Sequence, residues 1–342
     1  MVSFLQSIVD KIKGAPVAPH LHLAAFGKHP GWNDHIDDQG LETDRLIALK
    51  RLLYVQGIGA NIDAGTWDKL DPPQRLEKFN HAFAWSMGGA GGDVTVGRFW
   101  ASRDGKGRDK YPMVLAAQGV GMPLSWIFAQ VTPLLEPIQE RCRGVATAAE
   151  VIAILDAERG ALQQLLSEDA KNPAVPADKN GAAVTPATVA QLADDPLFAP
   201  RREGFYRILY QIARAMPAYL AGAANHANKR PEHLRVPRCP APAPDSTPEG
   251  ALHFWLHFLL TQLAPGTSLM LLTPLTQPFV DILVGEPTPA QLVCAKAAPT
   301  AMPVASDIPY TLDEAFVKAA DGFIEACRNA PAEAPIPPIP RV

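Results

Sequence analysis

The chain is short of cysteine, aromatic residues and net charge, and it has no long hydrophobic run. Its 31 Lys and Arg residues nearly balance 35 Asp and Glu, a formal net charge of −4 over 342 residues. So small an imbalance gives no global pull toward nucleic acid or an anionic membrane, and any such binding would be local. The four cysteines, Cys142, Cys239, Cys294 and Cys327, are scattered, with no pair at the spacing of a zinc knuckle or a redox couple. Scattered thiols in a chain of this length fit a reducing cytoplasm better than a disulfide-stapled domain. The most apolar runs, Phe254 to Leu260 and Leu269 to Leu275, fall far short of the roughly 20 residues a membrane-spanning helix needs. The opening "MVSFLQSIVDKIKG" lacks the order of a secretory signal, because Lys11 and Lys13 follow the apolar residues instead of preceding them. Phe4, Leu5, Ile8, Val9 and Ile12 fall at helical spacing, so a short helix is expected within 1–19, with a cytoplasmic location.

What the chain does have is apolar residues enough for a core, at 47%, and 34 prolines that gather in a few segments. "HLHLAAF" (His20 to Phe26) reads as a strand leading into the turn "GKHPGWND". Residues 41–57 read as a helix through Leu41, Leu46, Leu49, Leu52 and Leu53. Residues 74–87 read as a second helix through Leu76, Phe79, Phe83 and Met87, ended by "GGAGGD". Val94 to Ser102 and Tyr111 to Gln118 read as strands. Helices are expected over 124–141, interrupted at Pro133 and Pro137, and over 148–166. Residues 168–200 read as a linker or surface excursion, 204–225 as a helix, and "VPRCPAPAPDSTPEG" as a proline-rich connection. Ala251 to Leu263 reads as a helix, "SLMLLTPL", "VDILVG" and "QLVCAKA" as strands, and Thr311 to Cys327 as a closing helix. "HLRVPRC" (His233 to Cys239) echoes "HLHLAAF", a weak sign of a second, similar unit.

These elements predict an α+β protein with small, mainly antiparallel sheets carrying helices, because the candidate strands come in adjacent pairs. The expected organisation is an N-terminal helix (1–19), an α+β domain (20–167), the linker, a second α+β or helical domain (201–330) and a Pro-rich tail (331–342).

The most charged stretch is "GRFWASRDGKGRDKYP", Gly97 to Pro112. It is not a phosphate loop: neither a Walker pattern nor a dinucleotide fingerprint is present, and "GGAGGD" precedes a strand. Arg98, Arg103, Lys106, Arg108 and Lys110 beside Phe99, Trp100 and Tyr111 resemble a nucleic-acid patch, but Asp104 and Asp109 offset the charge and aromatics on a strand are usually core. Ser102 beside Asp104 lacks a nucleophile elbow. The enzyme reading with most support is a metal-dependent hydrolase using His20, His22, His29, Asp34 and His35, imidazole and carboxylate ligands at short range. Against it stands a structural reading, in which Asp104 and Arg108 lock a turn by charge-assisted hydrogen bonds and Asp34 adds a second carboxylate.

The two turns also carry a resemblance. "FGKHPGWNDHI" resembles the "G-K-x-P-x-x-x-D-F" signature of the TagF/ImpM family associated with type VI secretion, with Gly27, Lys28, Pro30 and Asp34 at the matching positions. "SRDGKGRDKYP" is similar to that family's "P-S-x-D-x-x-G-R-x-F-P", matched by Ser102, Asp104, Gly107, Arg108, Tyr111 and Pro112. Ala101 stands where proline is usual, His35 where phenylalanine is common, and "DK" lengthens the second turn by one residue. The similarity covers Leu23 to Gln118. It implies a longin-like N-terminal domain, no cofactor, and a cytoplasmic regulator of assembly. Its partner would be a forkhead-associated-domain protein or a membrane or baseplate component.

Overall fold

The computed structural model describes residues 18–87, 93–171, 184–198, 202–216, 219–220, 236–241 and 247–341. The expected helix within 1–19 lies almost wholly outside them.

In chain order the elements are β1 (His20–Gly27), a helical run α1, β2 (Asn80–Met87), β3 (Val94–Ala101) and β4 (Pro112–Val120). Then come the helical run α2, α3 (Ala148–Lys171), α4 (Pro186–Ala193), α5 (Glu203–Ala215), β5 (Arg238–Pro240) and α6 (Pro248–Gln262). Strands β6 (Ser268–Pro274) and β7 (Phe279–Val284) and helix α7 (Glu314–Asn329) complete the order. The run α1 passes from α-helix (Asp44–Leu49) through a wide π segment (Lys50–Gly59) back to α-helix (Ala60–Asp63). The run α2 does likewise: Leu124–Trp126, a π segment at Ile127–Val131, then Thr132–Arg143. Pro133 and Pro137 lack the N–H that would continue the ladder, and the expected division falls just before them.

The fold is α+β. A seven-stranded sheet, ordered β1-β4-β3-β2-β6-β7-β5, has only antiparallel pairings and carries helices on both faces. Both halves of the chain contribute to it, joined where β2 pairs with β6 from His81↔Pro274 to Met87↔Ser268. Alternate residues serve opposite faces. Leu21, Leu23, Ala82, Ala84, Leu115, Leu269 and Ile282 pack toward α2, α3 and α6. Phe26, Phe83, Trp85, Phe99, Val114, Met270 and Leu272 pack toward α1 and a 3₁₀ turn at Gln291–Lys296.

Three expectations are corrected. Residues 80–87 form a strand, not part of a helix. As β2 is central and buried on both faces, its period of two is hidden, and Phe79 and Phe83 fall at helical spacing by coincidence. "QLVCAKA" is the 3₁₀ turn and not a strand. The segment 168–200 holds the end of α3 and, from Pro186, the helix α4, whose Val189, Ala190 and Leu192 are buried. Thr185 caps α4 through the N–H of Thr188 with proline at the first turn, so an Ala/Pro-rich composition concealed a capped helix. The echo "HLRVPRC" reduces, among the described residues, to the short edge strand β5. The C-terminal tail is docked: Ile339 N–H donates to Gln262 Oε1 (2.8 Å), and Ile336 and Ile339 are buried.

The core also sets an acid response. His81 on β2 is buried and stacked on Phe99 with ring centroids 4.6 Å apart, and its Nε2 has no hydrogen-bond partner among the described residues. Burial, with Arg238 and Lys296 nearby, lowers its pKa to about 3. Burial likewise lowers His253 on α6 to about 4, with His257 adding to the effect. An unfolded histidine binds its proton near pH 6.5, so between that pH and the folded pKa the unfolded chain holds more protons. Stability therefore falls as pH drops below about 6.5, before carboxylates begin to protonate. His81→Phe should keep the stacking and shrink the loss between pH 7 and 5, read by urea denaturation. An unchanged loss would assign it to other groups.

Candidate functional site

The two signature turns close on each other at the β1/β4 end of the sheet. Gly27 ends β1 at φ +105°, where a Cβ would sit 2.2 Å from the Pro112 carbonyl oxygen, so only glycine allows the approach. Lys28 N–H then donates to that carbonyl (3.1 Å) and Ile36 N–H to Gly27 O (2.7 Å), which folds residues 28–35 back over the second turn. In the second turn Asp104 accepts from the backbone N–H groups of Lys106 and Arg108, both 3.0 Å, through one carboxylate oxygen. Gly107, at φ +80°, supplies the left-handed residue that this tight turn requires.

The side chains complete a network. Lys28, almost fully buried, directs its ammonium to Asp104 Oδ2 (2.9 Å) and to Asp34. Arg108 Nε donates to the same Asp104 oxygen (2.7 Å), while Nη2 donates to Asn33 O (2.9 Å) and lies 3.1 Å from Asp34 Oδ1. Gly105 N–H to Trp32 O (2.7 Å) stitches the turns through backbone. Burial alone would raise the Asp104 carboxyl, but the bonds from Lys28, Arg108 and the turn's own N–H groups outweigh it and hold the group far below the usual carboxylate range. The bond from Lys28 also holds Asp34 low. The expected Asp104–Arg108 contact is present, and Lys28 and Arg108 each join the two carboxylates. Asp109 and Lys110, where the second turn is one residue longer, are exposed and take no part in the network.

Around this network, His35 meets Tyr54 and Tyr111 edge-on, and Tyr111 Oη donates to Asp63 Oδ1 (3.0 Å) at the end of α1. Pro112 opens β4 opposite Ala101. Ser102 and Pro30 lie on the wall of an open groove of about 1150 Å³.

The five residues expected to hold a metal do not converge. His29 is buried and both ring nitrogens are engaged: Nε2 donates to Cys142 O (2.9 Å) and Nδ1 accepts from Gly31 N–H (3.0 Å). His22 faces Glu42 (3.3 Å), His35 faces Asp34 (3.0 Å), and His20 is exposed at the start of β1. Among the described residues no three His, Cys, Asp or Glu side chains share a metal-sized site. The short-range clustering in sequence is dispersed because alternate strand residues and a folded-back turn point to different neighbours. The nucleic-acid patch fares similarly. Phe99 and Trp100 are buried on opposite faces of β3, and Arg98 is buried and bonded to Glu249 (2.5 Å).

Sequence reasoning missed a second buried pair, Arg238 with Asp281, which face each other across β5 and β7. The available signal was a lone charge inside each apolar stretch, "VPRCP" and "FVDILV". All four cysteines are free and buried. Among the described residues no helix is long and apolar enough to cross a membrane. No family model matches the chain, and no curated protein matches it.

Proposed function

We propose that this protein is a cytoplasmic accessory and regulatory component of a bacterial type VI secretion system. It acts by protein–protein contact and not by catalysis. The observation that carries the reading is the closure of the two signature turns into one network, in which Lys28, Asp34, Asp104 and Arg108 satisfy one another. Charged groups that hold one another in this way fix the geometry of the two turns. Their role is then to hold a rigid platform next to a partner-facing surface, with a forkhead-associated-domain protein or a membrane or baseplate component as partner.

Deleting the gene in a bacterium that encodes this chain beside its secretion genes should raise release of the tube protein without changing its cellular amount. Release that stays the same, on immunoblots of medium and cells, would remove the type VI assignment.

A further inference from the structure

The groove beside the signature turns has an electrostatic character opposite to that of the chain. Six basic residues line it, Arg75, Lys78, Arg103, Lys110, Arg143 and Lys296, against three acids, Asp68, Glu77 and Asp109. The chain as a whole carries −4. Four of the cations, Lys78, Arg103, Lys110 and Lys296, have no carboxylate within ion-pair distance among the described residues. Such a concentration costs free energy in the free protein, and an anion entering the groove relieves it.

Lys296 is the focal residue. It ends the 3₁₀ turn, is partly buried, and lies 5.1 Å from the centre of the Phe79 ring. Burial and then the neighbouring Arg75 lower its pKa, and the opposing pull of Asp68 does not offset them, as expected of an ammonium that has lost water without a carboxylate at ion-pair distance. Arg143, from the end of α2, lies over the Trp100 ring at 5.6 Å. The groove thus combines cations held against aromatic surface with exposed cations on the Arg103–Lys110 turn. At about 1150 Å³ it exceeds the roughly 300–1,000 Å³ typical of small-molecule pockets.

We infer that this groove binds an acidic, extended segment of a partner polypeptide, with spaced carboxylates reaching Lys296 on one wall and the Arg103–Lys110 turn on the other. The inference rests on the protein-contact reading above and gives that contact a surface and a chemistry. It also places the signature in function: the buried network holds the turn that bears Arg103 and Lys110.

The test is fluorescence anisotropy on the full chain with a short fluorescein-labelled peptide of Glu-Glu-Leu repeats, its Gln-Gln-Leu counterpart, and an oligothymidylate strand. The Glu peptide should bind, weaken as salt rises, and outcompete the Gln peptide. Lys296→Gln should weaken it about tenfold, as expected for loss of a charge-assisted contact. The double change Arg103→Gln and Lys110→Gln, on an exposed turn, should weaken it while leaving the melting temperature intact. Lys318→Gln, the same charge change on the exposed face of α7, should leave binding unchanged. Equal binding of the two peptides, indifference to Lys296→Gln, an equal effect of Lys318→Gln, or tighter binding of the oligothymidylate would each overturn the inference. Groove binding without any effect of gene deletion on secretion would instead remove the type VI assignment and leave the groove standing.

Discussion

Replacing Asp104 by Ala should lower the melting temperature by more than about 5 °C, a larger loss than Asp34→Ala produces. The two carboxylates share partners but differ in setting. The Asp104 side chain is fully shielded from solvent, whereas that of Asp34 is 65% exposed and can exchange Lys28 for water. Without Asp104, the Lys28 ammonium stays buried with one solvent-facing partner, and the N–H groups of Lys106 and Arg108 lose their acceptor. The charge can be separated from the shape with Asp104→Asn. Since the folded pKa of Asp104 is depressed, its contribution is fully present above the unfolded carboxylate value near 4 and is lost as pH falls through the folded pKa. The gap in melting temperature between the wild-type chain and Asp104→Asn should therefore be constant from pH 7 to 5 and narrow below about 4. A gap that persists unchanged into acid would mean that packing, not the carboxylate charge, stabilises the turn. A binding loss in Arg108→Ala at unchanged melting temperature would give Arg108 a direct contact role.

How much of this was readable in the chain depended on the range of the interaction. The turn of Asp104 and Arg108 is local: an acceptor carboxylate, a glycine at positive φ and a cation four residues on imply one another through side-chain and backbone bonding. Its clasp to the first turn was legible as chemistry, two turns with complementary charges, although the bridging position of Lys28 was not. Helix α6 and strands β6 and β7 followed from periodicity and length. The failure at β2 has a definite cause, because a central strand buried on both faces loses the alternation that marks strands. The dispersal of His20, His22, His29 and His35 has another. Proximity in sequence sets no direction for a side chain, and His29 turned inward to the Cys142 carbonyl while His20 stayed exposed. The groove is assembled from residues as distant as Arg75 and Lys296, so no local pattern announces it.

The same reasoning makes Arg238 and Asp281 the most sensitive pair in the sheet. Their side chains are 0% and 1% exposed, and the guanidinium meets the carboxylate through two bonds of 2.7 and 2.9 Å. Arg238 also donates to Met302 O (2.8 Å) and lies 3.8 Å from the centre of the Phe279 ring. One pair thus ties the three-residue edge strand β5, the loop at Met302 and the middle of β7 together. Removing one partner leaves a buried ion without compensation, so Asp281→Ala or Arg238→Ala should each cost about 3–5 kcal/mol. The double variant Arg238→Met and Asp281→Leu buries apolar groups in the same space and should recover most of that loss. Urea denaturation of the four proteins measures the coupling. A cost below about 1 kcal/mol for either single change would show that water reaches the pair. The backbone at Cys294 accepts a longer bond from Arg238 (3.4 Å), two residues before Lys296. The single variants should therefore also weaken capture of the acidic peptide, and the double variant should restore capture together with stability. Stability restored without capture would mean that Arg238 positions the Lys296 wall of the groove by a specific bond and not through packing alone.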